Sequence, residues 1–421
     1  MSSRRHGPPC TIVIKLGSSS IVHETTHQPL LSTLSSVVET VVNLRSQGHK
    51  VVLVSSGAIA VGLKRMELPS RPKNLSGKQA LAAIGQGRLI ALWDNLFGQL
   101  GQPIAQVLLT RGDISDRTRY LNAVNTFKEL LSMGVVPIVN ENDTVSVSEI
   151  KFGDNDTLSA ITSSMIHADY LFLLTDVDGL YTSNPRKDPD AKLLEVVDSI
   201  SAIRSQVSTT TLGSSLGTGG METKIIAAEI ATAAGVSTVI LSSRKPENIS
   251  NIIHYYDRGS PKTPQDDLSS HSKPSSRPDS ANPSRSSSPT PLIRPPHTVF
   301  TASPFPMRDL KSWTTHTLFP SGSVIIDAGA HHVLSRRESG GRLLAAGVTG
   351  IIGAFASGQA VRIVIRLLTM DDVVEVGRGL ANYNSAQILR VKGLNSSHLP
   401  QVLGYADSEY VVENISIRVP P

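Results

Sequence analysis

Cys10 is the single cysteine in 421 residues. That count excludes a disulfide framework and a cysteine-built zinc site, and it suits a reducing compartment. Cys10 lies in no nucleophile motif. Aromatic residues are scarce too, at 4%, too few for an extended surface on which bases stack. Long apolar runs are missing, and nothing approaches the roughly 20 residues that a membrane-spanning helix needs. Met1-Ser-Ser-Arg-Arg5 carries the charge of a signal n-region, but no apolar core follows, because Thr11–Leu16 is short and interrupted by Lys15. The expectation is a cytoplasmic protein with no membrane association. A net charge of +5 is mild for this length and does not choose among nucleic acid, membrane and small anions as partners.

What is present is an alternation. The length suggests two or three domains, and 39% apolar residues suffice for a core. Between residues 11 and 256, short apolar runs predict buried strands at Thr11–Leu16, Lys50–Val54, Ile104–Leu109, Val135–Val139, Tyr170–Thr175 and Ser237–Leu241. Segments with helical spacing separate them: Leu30–Gln47, Gly77–Gly98, Ala123–Met133, Asp156–His167 and Gly220–Ala234. Near-continuous apolar strands alternating with helices imply an α/β domain with a mostly parallel sheet covered on both faces. Gly48, Gly134 and Gly235 fall just past helix ends, where C-cap glycines belong.

From 259 to 297 the composition turns to Ser and Pro with few apolar residues, so this stretch is expected to be a disordered insertion. Its Ser288-Pro289 pair is either a phosphorylation site or part of a passive linker. From 298 to 421 the pattern is globular again. Strands are expected at Ser323–Asp327, Gly347–Gly353, Ala360–Leu367 and Val373–Leu380, and Asp327 opens a short helix. The expected division is a tail at 1–10, an α/β domain at 11–258, the insertion at 259–297, and a linker strand with a small β-rich domain at 298–421.

Five segments carry chemistry. Thr11-Ile-Val-Ile-Lys-Leu-Gly-Ser-Ser-Ser20 puts Lys15 near the carboxyl end of a strand, followed by Gly and exposed amides. In parallel α/β sheets that end binds ligands, and these groups suit phosphate oxygens, although a solvated lysine before a turn has the same pattern. The glycine spacings of a Walker loop or a dinucleotide fingerprint are absent. Val51-Val-Leu-Val-Ser-Ser-Gly-Ala-Ile-Ala60 ends a strand in hydroxyls at a helix entrance, which is either a simple N-cap or an anion cradle. Val135-Val-Pro-Ile-Val-Asn-Glu-Asn-Asp143 and Lys151-Phe-Gly-Asp-Asn-Asp-Thr157 gather carboxylates and carboxamides. These form Asx-turns and caps or, at that density, a seat for a small zwitterion held through its amine. Tyr170–Thr175 ends at Thr175-Asp176, and Gly217-Thr-Gly-Gly-Met-Glu-Thr-Lys224 is a Gly-rich loop opening a helix whose dipole favours phosphate.

In this order the five segments resemble the amino acid kinase family. The pairing of Asn140–Asp143 with Asp154–Asp156 is similar to its glutamate 5-kinase branch. Acetylglutamate, carbamate, uridylate and aspartate kinases share the Lys and Gly-rich elements but not that pair. Gln79–Arg88 and Leu108–Asp113 resemble further stretches of the same branch. The resemblance implies a three-layer α/β/α sandwich with a mostly parallel central sheet. It implies ATP against Lys15, Thr175, Asp176, Thr218, Gly219, Gly220, Met221, Glu222, Thr223 and Lys224, with Mg2+ bridging the phosphates. It implies glutamate against Ser55, Asp143 and Asn155, and catalysis by Lys15, Lys224 and Asp156, with Asp156 orienting the two lysines. Feedback inhibition by proline, a homo-oligomer and a separate glutamyl phosphate reductase downstream are further expectations, the last because no reductase domain follows. The C-terminal part resembles a PUA domain, a small β-barrel module through Ser321–Ala330, Gly347–Gly350 and Arg378–Ser385. RNA is a candidate partner there, with Arg336, Arg337, Arg342, Arg362 and Arg366 as a basic face or as ordinary solvated arginines. Two other readings stay open: a different amino acid kinase, such as one acting on acetylglutamate, and an RNA-binding protein acting through the C-terminal module.

Overall fold

The computed structural model describes residues 8–72, 74–145, 155–185, 188–200, 203, 220–257, 294–304, 306, 320–336, 340–357, 359–366, 373–404 and 408–417. Most of the Ser/Pro-rich stretch (259–293) lies outside them, as do Asp154, Thr218, Gly219 and Arg337.

Among the described residues the first sheet has eight strands: β1 (Thr11–Leu16), β2 (Lys50–Ser55), β3 (Ile104–Leu109), β4 (Val136–Glu141), β5 (Tyr170–Thr175), β6 (Val196–Val197), β7 (Ser237–Ser242) and β8 (Thr298–Phe300). Their spatial order is β3-β4-β2-β1-β5-β7-β8-β6, and every pairing except β7 with β8 is parallel. β1 is central. Its neighbours are β2 on one side and β5 on the other, so the strand order reverses there. Ligands of open α/β sheets bind at such a switch point, beyond the carboxyl ends of the strands.

Side-chain alternation along each strand builds the layers. Ile12, Ile14 and Leu16 pack on one face with Leu34, Val37 and Val41 of α2 (Leu31–Ser46), Trp93 and Phe97 of α4 (Leu75–Gly98), and Ile249 and Ile252 of α9 (Asn248–Asp257). Val13, Val52 and Val54 pack on the other face with Phe127 of α6 (Arg117–Ser132), Leu158 and Ile161 of α7 (Asn155–Met165), and Ile225 of α8 (Met221–Ala233). The result is the expected α/β/α sandwich. Each fully buried Leu, Ile or Phe contributes roughly 1.5–3 kcal/mol. The shorter helices α1 (Ser18–Ile21), α3 (Ala58–Arg65) and α5 (Arg111–Ser115) follow β1, β2 and β3.

One helix contact is made by backbone. A Cβ on Gly85 of α4 would lie 1.8 Å from the carbonyl oxygen of Ala58, and one on Gly62 of α3 would lie 2.1 Å from that of Leu81. The two glycines let α3 and α4 touch main chain to main chain. α3 is entered through Gly57 at φ +100, in the left-handed region where a side chain is strained.

The chain returns to this sheet after the Ser/Pro-rich stretch. Thr298–Phe300, expected as a linker strand, is a strand of this sheet, antiparallel to β7 and parallel to β6. Thr298 Oγ1 accepts from Leu180 N at 2.7 Å and donates to Leu194 O at 2.6 Å. Residues 294–297 are expected within the insertion, yet Pro295 and His297 are buried, His297 at 0% exposed. The Pro295 carbonyl, an obligate acceptor, lies 2.7 Å from His297 Nδ1, so Nδ1 carries the proton. Nε2 then accepts from the Tyr256 hydroxyl at 2.9 Å and from Arg294 at 3.2 Å. Tyr256 ends α9, so the two ends of the 258–293 stretch are tied side by side.

The C-terminal sheet comprises β9 (Gly322–Ile326), β10 (Leu343–Leu344), β11 (Val348–Ile352), β12 (Ala360–Arg366), β13 (Val373–Ala381) and β14 (Tyr410–Ile417) in the order β10-β14-β13-β12-β9-β11. It curls around Val324, Val361, Ile363, Val376, Tyr383 and Val411. As expected, Asp327 caps α10 (Ala328–Leu334), accepting from Ala330 N at 2.7 Å.

Two stability outcomes are expected. Gly85→Ala should cost about 1–3 kcal/mol through overpacking. Gly87→Ala on the same helix, where an added Cβ meets open space, should stabilise by up to about 1 kcal/mol; urea midpoints measure both. Burial, with Arg294 alongside, lowers the His297 pKa to about 4, against an ordinary value of 6.5. Between these values the unfolded chain binds the extra proton, so this contribution to stability is complete above 6.5 and is lost as pH falls towards 4. Thermal melts of the wild type and His297→Gln across that window should show a shallower loss in the variant.

Candidate active site

The carboxyl ends of β1 and β5, with the starts of α7 and α8, meet at one carboxylate. Asp156, in the first turn of α7, is 0% exposed. Lys15 reaches it from β1, on the sheet face opposite Leu16, and ion-pairs with Oδ1. Lys224, in the first turns of α8, places Nζ 3.2 Å from Oδ2, and Thr223 Oγ1 donates to the same oxygen at 2.9 Å. The two lysines are 4% and 8% exposed. Positions 15, 156 and 224, far apart in sequence, are therefore joined within one hydrogen-bonded group.

The charge count of this group decides its chemistry. At an effective dielectric near 20, one ammonium–carboxylate contact is worth about 5 kcal/mol at such distances, while desolvation costs several kcal/mol per ion. Asp156 can balance one lysine. Two lysines leave a buried excess of one positive charge, which an anionic ligand would neutralise. α8 adds to this pull. Its N-cap Gly220 supplies no side-chain cap, and the start of a helix favours negative charge. Met221 packs into the core, and Glu222 sits in the first turn. Thr175 closes β5 with its hydroxyl 3.1 Å from Asp176 Oδ1, and Asp176 is exposed. Register pairs Lys15 with Leu173, which sets Thr175 just beyond the lysine on the neighbouring strand.

Beside the lysines lies a carboxamide group. Asn155 Nδ2 donates to Ser56 Oγ at 2.8 Å and to Asn140 Oδ1 at 3.1 Å, and Asn140 Nδ2 donates to Gln86 Oε1 at 2.6 Å. Ser55 is not part of it. Its hydroxyl accepts from Trp93 Nε1 at 3.1 Å on the opposite face of the sheet, so Ser56, one residue on, is the hydroxyl that meets Asn155. Asp143 lies in the turn after β4. Burial pushes its carboxyl up to about 6, the nearby Glu141 adds to this, and the Arg71 guanidinium opposes it. Gln86 and Arg71 are the residues that sequence reasoning missed. Gln86 lies within Gln79–Arg88, noted there only as a resembling stretch, and Arg71 precedes α4 in a segment without motif.

In the C-terminal sheet Arg362 pairs with Glu375 at 4.0 Å, Arg336 lies 2.9 Å from His332 Nε2, and Arg342 stacks over the Tyr410 ring at 5.3 Å.

A doubly covered parallel sheet with a buried, positively charged lysine pair at its switch point defines an anion-handling α/β enzyme of the phosphotransferase kind. Residues 11–242 match the Amino acid kinase family and residues 322–403 match the PUA domain. The chain belongs to the amino acid kinase family, and within it to the glutamate 5-kinases. It is 51% identical to the probable glutamate 5-kinase of Schizosaccharomyces pombe, across 95% of this chain and 91% of that protein. It is 46% identical to the glutamate 5-kinase of a Cyanothece species, across 96% and 97%. Among solved structures, the carbamate kinase from Giardia lamblia bound to AMP-PNP is 17% identical, with a TM-score of 0.44 over 58% of this chain and 95% of that one.

Proposed function

We propose that the chain transfers the γ-phosphoryl group of ATP to the side-chain carboxylate of L-glutamate, giving L-glutamyl 5-phosphate and ADP. The observation that carries this is the buried Lys15–Asp156–Lys224 group with its excess positive charge. A carboxylate oxygen attacks the γ-phosphorus, the new O–P bond forms, and the bond to the β,γ-bridging oxygen breaks with its electron pair leaving on ADP. The attacking carboxylate is ionised above pH ~4.3, so no base is needed. Positioning and charge neutralisation then supply the catalysis. Lys15 and Lys224 stabilise the charge that spreads over the phosphoryl oxygens, and Asp156 holds both ammoniums in place.

ATP would bind this group through the lysines and the start of α8, with Thr175 and Asp176 alongside. Thr218 and Gly219 belong to the same proposal. Mg2+ would accompany the nucleotide and neutralise phosphate charge. Among the described residues no cluster of three or more His, Cys, Asp or Glu side chains is placed to hold a metal ion, and Asp156 is already engaged by two lysines. Its ligands would be phosphate oxygens and water. Glutamate would sit between the lysines and the carboxamide group, its ammonium against Asp143 and Asn155. For Ser55 the contribution would come from main chain, since its hydroxyl is engaged by Trp93.

The same reading makes this the opening step of proline biosynthesis in the cytoplasm, with proline inhibiting at the glutamate site and a separate reductase consuming the acyl phosphate. A homo-oligomeric enzyme is part of it. For the C-terminal module no contact favours RNA in particular: Arg336, Arg342 and Arg362 have partners within the module.

An ADP-release assay across acidic substrates tests the assignment. Glutamate should be the acceptor and acetylglutamate inert, and Lys224→Ala should cut turnover by orders of magnitude with little change in glutamate affinity. Wild-type turnover in that variant would sink the proposal. Because Asp143 is protonated below about 6, its charge and the grip on the ammonium are lost as pH falls. The kcat/KM for glutamate, which reports the free enzyme, should decline below that pH. Asp143→Asn should lower the plateau and abolish this acid limb.

A further inference from the structure

We propose that Gln86 is a positioning residue that fixes which end of the Asn155 carboxamide meets the substrate. This rests on the reading of the site as a seat for glutamate.

The argument starts from a donor that cannot be turned around. The main-chain N–H of Glu141 donates to Asn140 Oδ1 at 2.9 Å. That contact fixes the Asn140 amide, with its oxygen towards the backbone and its nitrogen the other way. The nitrogen finds Gln86 Oε1 at 2.6 Å, so Gln86 serves as the acceptor. Asn140 Oδ1 then needs its second donor from Asn155, and Asn155 Nδ2 supplies it at 3.1 Å while also donating to Ser56 Oγ at 2.8 Å. Both protons of the Asn155 amide are used inside the protein.

What is left is the Asn155 carbonyl oxygen. It is buried and, among the described residues, has no hydrogen-bond partner. A buried acceptor without a donor carries the full cost of its desolvation, and here it lies next to Asp156, the centre of the lysine group. An ammonium N–H from the bound amino acid is a donor of the right kind. A flipped Asn155 would present its NH2 instead and repel that ammonium. Gln86 secures this orientation at one remove: it accepts from the Asn140 nitrogen, the end that the Glu141 N–H leaves over, and without it the Glu141 contact holds the Asn140–Asn155 pair from one side alone.

The packing of α4 makes this placement rigid. Gln86 directly follows Gly85, whose main-chain contact with Ala58 sets how closely α4 approaches the sheet edge of the site. The helix contact and the polar relay are thus neighbours in sequence and in space.

Steady-state kinetics on the full chain, varying glutamate and ATP separately, test this. Gln86→Met removes the acceptor and should raise KM for glutamate by about tenfold, the scale of one lost hydrogen bond, with kcat and KM for ATP within about twofold. Gln86→Glu keeps an acceptor and should hold KM for glutamate near the wild-type value. In an Asn155→Ala background, Gln86→Met should add nothing further, because it acts through Asn155. An unchanged KM in Gln86→Met overturns the proposal. So does an equal change in kcat and both KM values, or an additive effect on top of Asn155→Ala. If Gln86→Met does not fold, as judged by thermal unfolding, Gln86→Glu decides: a near-wild-type KM supports the role and a tenfold rise overturns it. A wild-type enzyme inert towards glutamate would instead count against the proposed function itself.

Discussion

A single buried carboxylate, Asp156, is the constraint on which the site depends. It takes Lys15 from the centre of the sheet, Lys224 from the start of α8, and a hydrogen bond from Thr223. Because it neutralises only one lysine, the group is held together and yet remains electrostatically incomplete. Removing the carboxylate would bury two like charges side by side, while replacing all three by apolar residues would leave a more comfortable core and no anion site. A negatively charged ligand would complete it.

The sheet supplies the geometry that this group requires. β1 sits where the strand order reverses, so its carboxyl end opens into a crevice rather than under a crossover. α7 crosses from β4 to β5 beneath the opposite face and is buried along most of its length, which allows a charged residue at its first turn to be fully enclosed. On the other side, the glycine contact between α3 and α4 brings the second helix close enough for Gln86 and Asn140 to meet. Dense packing against the sheet and a polar relay at its edge are the same structural fact seen at two scales.

Much of this was legible in the chain. The runs Thr11–Leu16, Ile104–Leu109 and Tyr170–Thr175 are strands with the bounds expected; the first and last are buried parallel strands, which are near-continuous apolar segments with sharp polar ends, while Ile104–Leu109 is the half-buried edge strand. Lys15, Asp156 and Lys224 were legible as well, through the order of the motifs around them. β6 was not, and for β8 a strand was expected but not its place in this sheet, since two- and three-residue strands are defined by pairing with distant neighbours. The packing of His297 was hidden for a related reason. A histidine after a Ser/Pro-rich stretch looks solvated until Tyr256 and Arg294 arrive beside it.

The sequence by itself determined the layered α/β plan, the family and the principal charged residues of the site, because hydrophobic period and strand-end motifs are local properties. Tertiary structure alone decided which serine turns inward, that Ser55 bonds Trp93 while Ser56 bonds Asn155, and that Gln86 stands behind the carboxamides. The physical reason is that the facing of a side chain, its partner and its burial depend on residues brought together across the sheet, and neighbours in sequence carry no record of that meeting.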